Sequence, residues 1–461
     1  MNAAHQFDPT ILREYDIRGV FGKTLTCDDA HALGRAFGTH LRVSGARSAA
    51  VGYDGRLSSP ALEAALVEGL ALSGVDVLRV GRGPTPMLYF ACHALPADGG
   101  IMVTGSHNPP DHNGFKLVLR NASVYGQEIQ DIGAVAASGA FAVGSGGVED
   151  RQVFDAYLDR LLQEADPAIA DLSVAWDAGN GAAGEVMAAM VGRLPGRHFL
   201  LNAEIDGTFP SHHPDPTVEK NLSQLIETVR REGCDLGIAF DGDGDRIGVV
   251  DGLGRILWGD QIMLHLARGV LEQQPGATII ADVKASQILF DGIARLGGKP
   301  LMWKTGHSLI KAKMKQEGAP FAGEMSAHLF FADRYYGYDD ALYAALRLMG
   351  EIASRGESLA DFRDSLPAVI NTPEIRFPCA EDRKWAVIEE VRDRLTAAGA
   401  ELVTLDGVRV TSEDGWWLLR ASNTQDVLVA RCEAWDEAGL ARLKAALISQ
   451  LEASGLEPPP L

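Results

Sequence analysis

Several short segments hold residue types that could do chemistry. In Asp241-Gly-Asp-Gly-Asp-Arg246, three carboxylates alternate with glycines between two strand-like runs, 236–240 and 247–250. Free backbone between them lets the carboxylates converge on one hard cation, and an all-oxygen set suits Mg2+ or Ca2+. An EF-hand does not fit: counting from Asp241, its sixth position is Arg246 rather than Gly and its twelfth is Gly252 rather than Glu. Three carboxylates this close repel one another, which favours metal binding over a solvated acidic turn. Arg246 beside them is placed for phosphate oxygens. In Thr104-Gly-Ser-His-Asn-Pro-Pro110, an apolar run delivers the chain into a loop that Gly105 bends and Pro109-Pro110 keep from becoming helix. Ser106, with His107 beside it, is a candidate nucleophile or phosphate carrier. The spacing is not G-x-S-x-G, so a Ser-His-Asp triad is not implied, and on this loop alone an ordinary turn is the simpler reading.

Two further segments add binding groups. Glu324 and Ser326 alternate in Gly323-Glu-Met-Ser-Ala-His328, so on an extended segment they face one side, as a carboxylate and hydroxyl gripping sugar hydroxyls would. A surface strand end explains them equally well. Arg420-Ala-Ser-Asn-Thr424 gathers a guanidinium, two hydroxyls and an amide, a dense donor set for phosphate; a polar β-turn is the competing reading. Together the four supply an acceptor hydroxyl, a metal, a sugar clamp and a phosphate clamp, which is what phosphoryl transfer needs. They also answer a question of charge. The 461 residues carry a net charge of −20, a field that disfavours nucleic acid and anionic membranes as partners. A phosphate ester must therefore be held by a local cluster of cations and amides.

The elements that position these loops repeat. Three times an apolar run ending in Asp (49–54, 172–177 and 278–282) is followed by a polar turn, a helical stretch (61–73, 185–191 and 287–296) and a second apolar run (75–80, 199–201 and 300–304). Strand–helix–strand favours parallel sheet with covering helices. The last ~95 residues read differently, with helices at 384–397 and 440–451 and strands at 408–411, 416–421 and 427–433, a smaller α+β unit. The expected fold is α/β, with four domains around a central cleft: three related mixed-sheet α/β domains and a C-terminal α+β domain. The expected limits are 1–152, 153–253, 254–366 and 367–461, with one chemical loop per domain. Five dispersed cysteines without a C-x-x-C pair predict reduced thiols and a cytoplasmic protein, and no run of ~18 apolar residues predicts a membrane span.

With these residues in hand, the chain resembles the α-D-phosphohexomutase family over nearly its whole length. Five motifs stand in family order: Glu14-Tyr-Asp-Ile-Arg-Gly19, 104–109, 241–246, 324–328 and 420–424. The resemblance implies an enzyme that interconverts hexose 1-phosphate and hexose 6-phosphate, of mannose, glucose or both. Ser106 would be its phosphoserine, and a hexose 1,6-bisphosphate its intermediate. It implies Mg2+ held by Asp241, Asp243, Asp245 and the Ser106 phosphate, with glucose 1,6-bisphosphate or mannose 1,6-bisphosphate as activator. Glu324 and Ser326 would grip the sugar O3 and O4, and Arg420, Ser422, Asn423 and Thr424 the non-reacting phosphate. Tyr15, Arg18, His107, Asn108 and Lys116 match active-site positions, Lys284 and His307 match positions near substrate, and Arg246 and His328 join the substrate set. The general acid/base lies among Arg18, Lys116 and His307. Sugar phosphates are the expected partners of a monomer. Met325 in place of Gln disfavours the glucosamine-phosphate branch. A rival from another class is Gly179-Asn-Gly-Ala-Ala-Gly184, which fits G-x-G-x-x-G after a strand-like run, with Glu204 some 20 residues on, a nicotinamide-dinucleotide fingerprint. That reading leaves the other loops unexplained. A catalytically silent sugar-phosphate binder would not need Ser106 and the complete Asp triplet.

Overall fold

The computed structural model describes residues 4–423 and 425–459. The threefold repeat is real and its strand order is the same each time. In the first domain the strands are Ser48–Tyr53, Asp76–Arg82, Gly99–Val103 and His112–Leu119. In the second they are Ser173–Asp177, Arg197–Leu201, Leu236–Phe240 and Ile247–Asp251. In the third they are Thr278–Asp282, Lys299–Trp303, Phe321–Gly323 and Leu329–Phe331. In each, the first strand lies between the second and third and parallel to both. The fourth runs antiparallel beside the third. The reason is local. A helix joins first to second strand, and such crossovers return the chain parallel; a short loop joins third to fourth, and a hairpin can only be antiparallel. The crossover helices are Ser59–Leu72, Gly184–Val191 and Gln287–Arg295, within two residues of expectation.

Central strands such as Ser173–Asp177 and Leu236–Phe240 are buried at every position, which is why they read as apolar runs rather than alternating ones. The expected break at 253 falls inside the second sheet: Ile256–Leu257 pairs back onto Val249 and Val250, so that sheet continues to Leu257. The last domain is an antiparallel sheet, with Val408–Ser412, Gly415–Ala421 and Val427–Ala434 at its centre. Helices Glu381–Ala397 and Glu437–Ala453 belong to the same domain.

The cores divide unevenly. Met102, Trp176, Phe240 and Phe321, one or more from each of the first three sheets, lie in a single apolar cluster. The last domain has its own, around Val408, Trp417, Leu428 and Leu447. A small cluster of Val283, Trp416 and Leu418 bridges the third and fourth domains. Among the described residues no helix is long and apolar enough to cross a membrane.

Candidate functional site

The loop between third and fourth strands is the chemical loop in all three α/β domains: 104–111, 241–246 and 324–328. Each reverses the chain through a left-handed residue, Ser106 (φ 50°), Gly244 (φ 76°) and Ala327 (φ 63°). For a serine that conformation costs about 1–2 kcal/mol, so its surroundings must hold it. They do. Asp54, at the end of the first strand, accepts Thr104 Oγ1 at 2.9 Å and Gly105 N at 3.0 Å. The Arg56 guanidinium, wholly buried, donates to the carbonyls of Ser106 (2.7 Å), Asn108 (2.6 Å), Pro109 (2.5 Å) and His112 (3.0 Å). Neither residue stood among the sequence candidates. The signal that could have found them is the repeat itself, since Asp54-Gly-Arg56 and Asp282-Val-Lys284 occupy one place in two copies.

Ser106 Oγ donates to Asp241 Oδ2 at 3.1 Å and lies 3.2 Å from His107 Nδ1. Asp241, Asp243 and Asp245 are wholly buried, with one oxygen from each inside a 4.8 Å cluster. Lys116 donates to Asp243 Oδ2 at 2.7 Å and to Asp245 Oδ2, while Asp243 Oδ1 and Asp245 Oδ1 find no hydrogen-bond partner among the described residues. Burial first, then the charges of Asp245 and Asp243, push the Asp241 carboxyl well above its ordinary range. Burial works against the charge on Lys116, but Asp243 and Asp245 outweigh it and hold the ammonium well above its ordinary value. Orphaned carboxylate oxygens with unbalanced negative charge are what a hard cation relieves, so the donor set fits a metal such as Mg2+.

Arg246 leaves this loop toward the third: its Nε donates to His328 Nε2 at 2.9 Å, and Ile247 N donates to Ala327 O at 3.2 Å. His328 Nδ1 lies 2.9 Å from Asp339 Oδ2, a carboxylate that also accepts Lys311 and that the sequence did not single out. The third loop corrects one expectation. Glu324 to Ser326 is a tight turn rather than extended chain, closed by Ala327 N to Glu324 O at 2.8 Å, so the two side chains do not share a face by strand alternation. A left-handed alanine carries no mark in the sequence. Glu324 is buried and accepts Gly306 N at 2.7 Å; Ser326, half-buried, sits in the turn. Asp282 accepts Met325 N at 3.1 Å. Lys284 Nζ lies 3.1 Å from Glu374 and 3.7 Å from Asp282.

His307 begins the helix His307–Glu317, its ring 5.6 Å from that of His328 and 6.3 Å from that of Tyr15. Burial, then Lys311, holds its imidazole well below the usual value. Burial, then Arg246 and Arg18, does the same for His107. Arg18 donates to Asn108 Oδ1 at 3.1 Å and pairs with Asp16. From the last domain, Arg420 donates to Asp406, which also accepts Thr305 N at 3.0 Å. Ser422 Oγ accepts Gln425 N at 3.2 Å. Asn423 Nδ2 donates to the Tyr15 hydroxyl, which in turn donates to Thr305 O at 2.7 Å. Thr424 lies outside the described residues. Residues of all four domains thus meet here, the hydroxyls, carboxylates, imidazoles and cations joined by hydrogen bonds, ion pairs and ring contacts.

The dinucleotide fingerprint has another use. Its loop does follow a strand and open the helix Gly184–Val191, but a Cβ on Gly181 would sit 2.9 Å from Gly242 O, and one on Gly184 2.1 Å from Ala203 O. Ala182 N donates to Gly242 O at 2.9 Å. Gly181 lets the chain pack against the carboxylate loop, and Gly184 lets the helix start against Ala203, which fills the space a pyrophosphate would need.

Comparison with known proteins matches this arrangement. Four family models described as phosphoglucomutase/phosphomannomutase domains match in order: alpha/beta/alpha domain I at residues 9–142, domain II at 155–254, domain III at 258–369 and the C-terminal domain at 374–450. A phosphomannomutase/phosphoglucomutase of Pseudomonas aeruginosa is 44% identical over 444 residues, 96% of each chain. A phosphoglucomutase of Neisseria gonorrhoeae is 42% identical over 438 residues, 94% of this chain and 95% of the relative. The crystal structure of a phosphoglucomutase/phosphomannomutase family protein from Burkholderia thailandensis superposes with a TM-score of 0.91 at 43% identity, covering 98% of both chains.

Proposed function

This chain belongs to the phosphoglucomutase/phosphomannomutase family, and on that premise we propose that its interconversion of hexose 1-phosphates and hexose 6-phosphates runs through Ser106. The observation that carries the reading is the Ser106 hydroxyl set 3.1 Å from Asp241, beside Asp243 and Asp245, each with one oxygen that has no hydrogen-bond partner among the described residues. In the phosphorylated enzyme the group sits on Ser106 Oγ. Transfer breaks the Oγ–P bond and forms an O–P bond to the free hydroxyl of the hexose monophosphate. The bisphosphate then turns end for end, and its other phosphate returns to Ser106.

The chain's own residues share the work. Asp54 and Arg56 keep Ser106 in its strained turn. Asp241, Asp243 and Asp245 would hold Mg2+, which when bound supplies a Lewis acid for phosphoryl oxygens. Arg246 and Lys116 offset the charge near the transferring group. Of Arg18, Lys116 and His307, the imidazole is the group left uncharged near neutral pH, so it is suited to take the hydroxyl proton; Lys116 is held by two carboxylates. Glu324 would accept sugar hydroxyls, with Ser326 and His328 beside it. Arg420, Ser422, Asn423, Thr424, Tyr15 and Lys284 would bind the phosphate away from the chemistry, a clamp that must accept either end of the bisphosphate. A clamp on O3 and O4 does not discriminate at C2, which supports use of both glucose and mannose. All these groups come from one chain, which supports a monomer, and five unpaired cysteines suit a reducing cytoplasm.

Phosphorus NMR of the protein with Mg2+ and a trace of glucose 1,6-bisphosphate tests the reading. Glucose 1-phosphate and mannose 1-phosphate should each convert to the 6-phosphate, and Ser106→Ala should lose about 10³-fold or more. Full activity in Ser106→Ala would refute the route through this serine. Conversion of one sugar alone would refute dual use.

A further inference from the structure

The C-terminal domain grips a loop of its neighbour by the main chain. Residues 283–287 leave the first strand of the third sheet and carry Lys284. Each carbonyl from 283 to 285 is taken by an arginine of the last domain: Arg409 donates to Val283 O at 2.7 Å and Ala285 O at 2.8 Å, and Arg431 donates to Lys284 O. Glu433 takes the donors that follow, Ser286 Oγ at 2.9 Å and Gln287 N at 3.0 Å. Arg409, Arg431 and Glu433 are 1%, 5% and 2% exposed, so these bonds are formed out of water. The Arg409 guanidinium lies 3.7 Å from the centre of the Trp416 ring, and the Trp416 indole donates to Glu433 at 2.9 Å. The side chains stand on adjacent strands, 408–412, 415–421 and 427–434, so the sheet fixes their spacing. Trp416 also packs on Val283, in the small apolar cluster that bridges the two domains.

A lysine is a point charge on a flexible stem, and where its main chain sits decides what it can reach. The loop's own domain holds amides of this main chain, Val283 N on Trp303 O at 3.0 Å, Ala285 N on Asp282 O at 3.1 Å and Ser286 N on Asp260 Oδ2 at 3.0 Å, while the carbonyls from 283 to 285 are held by the last domain. We propose that Arg409 and Arg431 are positioning residues for Lys284, acting across the domain boundary, so that this lysine is aimed at a substrate phosphate only while the last domain is docked. The proposal rests on the reading of Lys284 as a phosphate ligand. Arg431 also reaches Met325 Sδ, so the sugar turn is held from the same side. Purely adhesive arginines would affect stability without acting through Lys284.

Arg409→Lys keeps the charge but loses the fork that reaches two carbonyls. In the full-length enzyme we expect KM for glucose 1-phosphate to rise about tenfold with kcat within about threefold, the pattern of lost uniform binding. Amide exchange should quicken at 283–287 and stay unchanged at 104–112. In a Lys284→Met background, adding Arg409→Lys should change KM by less than about twofold, because coupled residues do not add. Unchanged exchange at 283–287, or fully additive KM effects, would overturn the proposal. Faster exchange combined with a wild-type KM in Lys284→Met would instead overturn the phosphate reading of Lys284 and leave the grip on the loop standing. Arg431→Lys serves in the same design if Arg409→Lys does not fold.

Discussion

In the first domain the leading strand ends in Asp54-Gly-Arg56, and in the third the equivalent strand ends in Asp282-Val-Lys284. The two aspartates do the same thing: each accepts the amide of the second residue of the following turn, Gly105 at 3.0 Å and Met325 at 3.1 Å. The cations part company. Arg56 turns inward and binds four carbonyls of its own domain's loop, whereas Lys284 reaches Glu374 of the last domain, and its main chain is held by Arg409 and Arg431. One place in the repeated unit thus carries a fixed support under Ser106 in the first domain and, in the third, a lysine whose main chain depends on the last domain. On the proposed route, the difference would let the Ser106 hydroxyl stay still while the groups around a turning bisphosphate let go and re-engage.

The largest effect should come from breaking the fixed support. Arg56→Met leaves four carbonyls short of a donor, that of Ser106 buried, and frees the Ser106 turn, and we expect kcat to fall about 10²–10³-fold with KM within about threefold, since a displacement of about an ångström at the reacting atom costs that much. Steady-state kinetics with phosphoserine stoichiometry checks this; an unchanged kcat would mean the turn holds itself. Next, the two aspartates should differ although they stand in equivalent places. Asp54→Asn breaks a buried pair with Arg56, which should cost about 3 kcal/mol in urea denaturation. Asp282, pushed up to about 6 by burial against the pull of Lys284, is uncharged below that pH. Its ionisation costs folding stability as pH rises through 6, so Asp282→Asn at pH 7 should cost less than about 1 kcal/mol. Equal losses would erase the distinction between the two loops.

A further effect, one of pH, lies on the helix Gly259–Gln273, whose Asp260 accepts Ser286 N of the loop at 283–287 at 3.0 Å. His265, on that helix, is fully buried, and neither ring nitrogen has a hydrogen-bond partner among the described residues. Burial first, then Arg268 and Arg355, pushes it down to about 3. A depressed imidazole stays neutral in the fold while the unfolded chain protonates near pH 6.5, so stability is intact above that pH and lost as pH falls. At pH 5 the loss should be about 2 kcal/mol, and His265→Leu should remove it. Parallel curves of unfolding free energy against pH for the two proteins would show that His265 protonates within the fold.

The sequence made the Asp241 triplet, the Ser106 loop and the repeated strand–helix–strand units legible because each is local: glycine spacing, an apolar run and a helical period all lie within ~30 residues. It left other things dark for a physical reason. Arg56 acts on carbonyls 50 to 56 residues away, and Arg409 and Arg431 on carbonyls 124 to 147 away, through main-chain atoms that every residue type shares. The turn at 324–327 is not legible in the residue types, because alternation alone cannot reveal a left-handed alanine. Asp339 looked like an ordinary acid until the fold brought His328 and Lys311 to it.

The Tyr15 hydroxyl has both its hydrogen-bonding roles filled from elsewhere, Thr305 on one side and Asn423 on the other. Asn423 lies 408 residues further along the chain. At the usual 5–20 residues per second of synthesis, roughly 20 to 80 s separate the emergence of one from the other. The first three domains can take shape meanwhile, with serine, carboxylates and imidazoles already in place. Yet the Tyr15 hydroxyl still lacks Asn423, and the loop at 283–287 still lacks Arg409 and Arg431. On the proposed route, activity therefore waits for the end of translation, and a ribosome that stalls before the last sheet releases a chain whose serine loop is set and whose lysine loop is not.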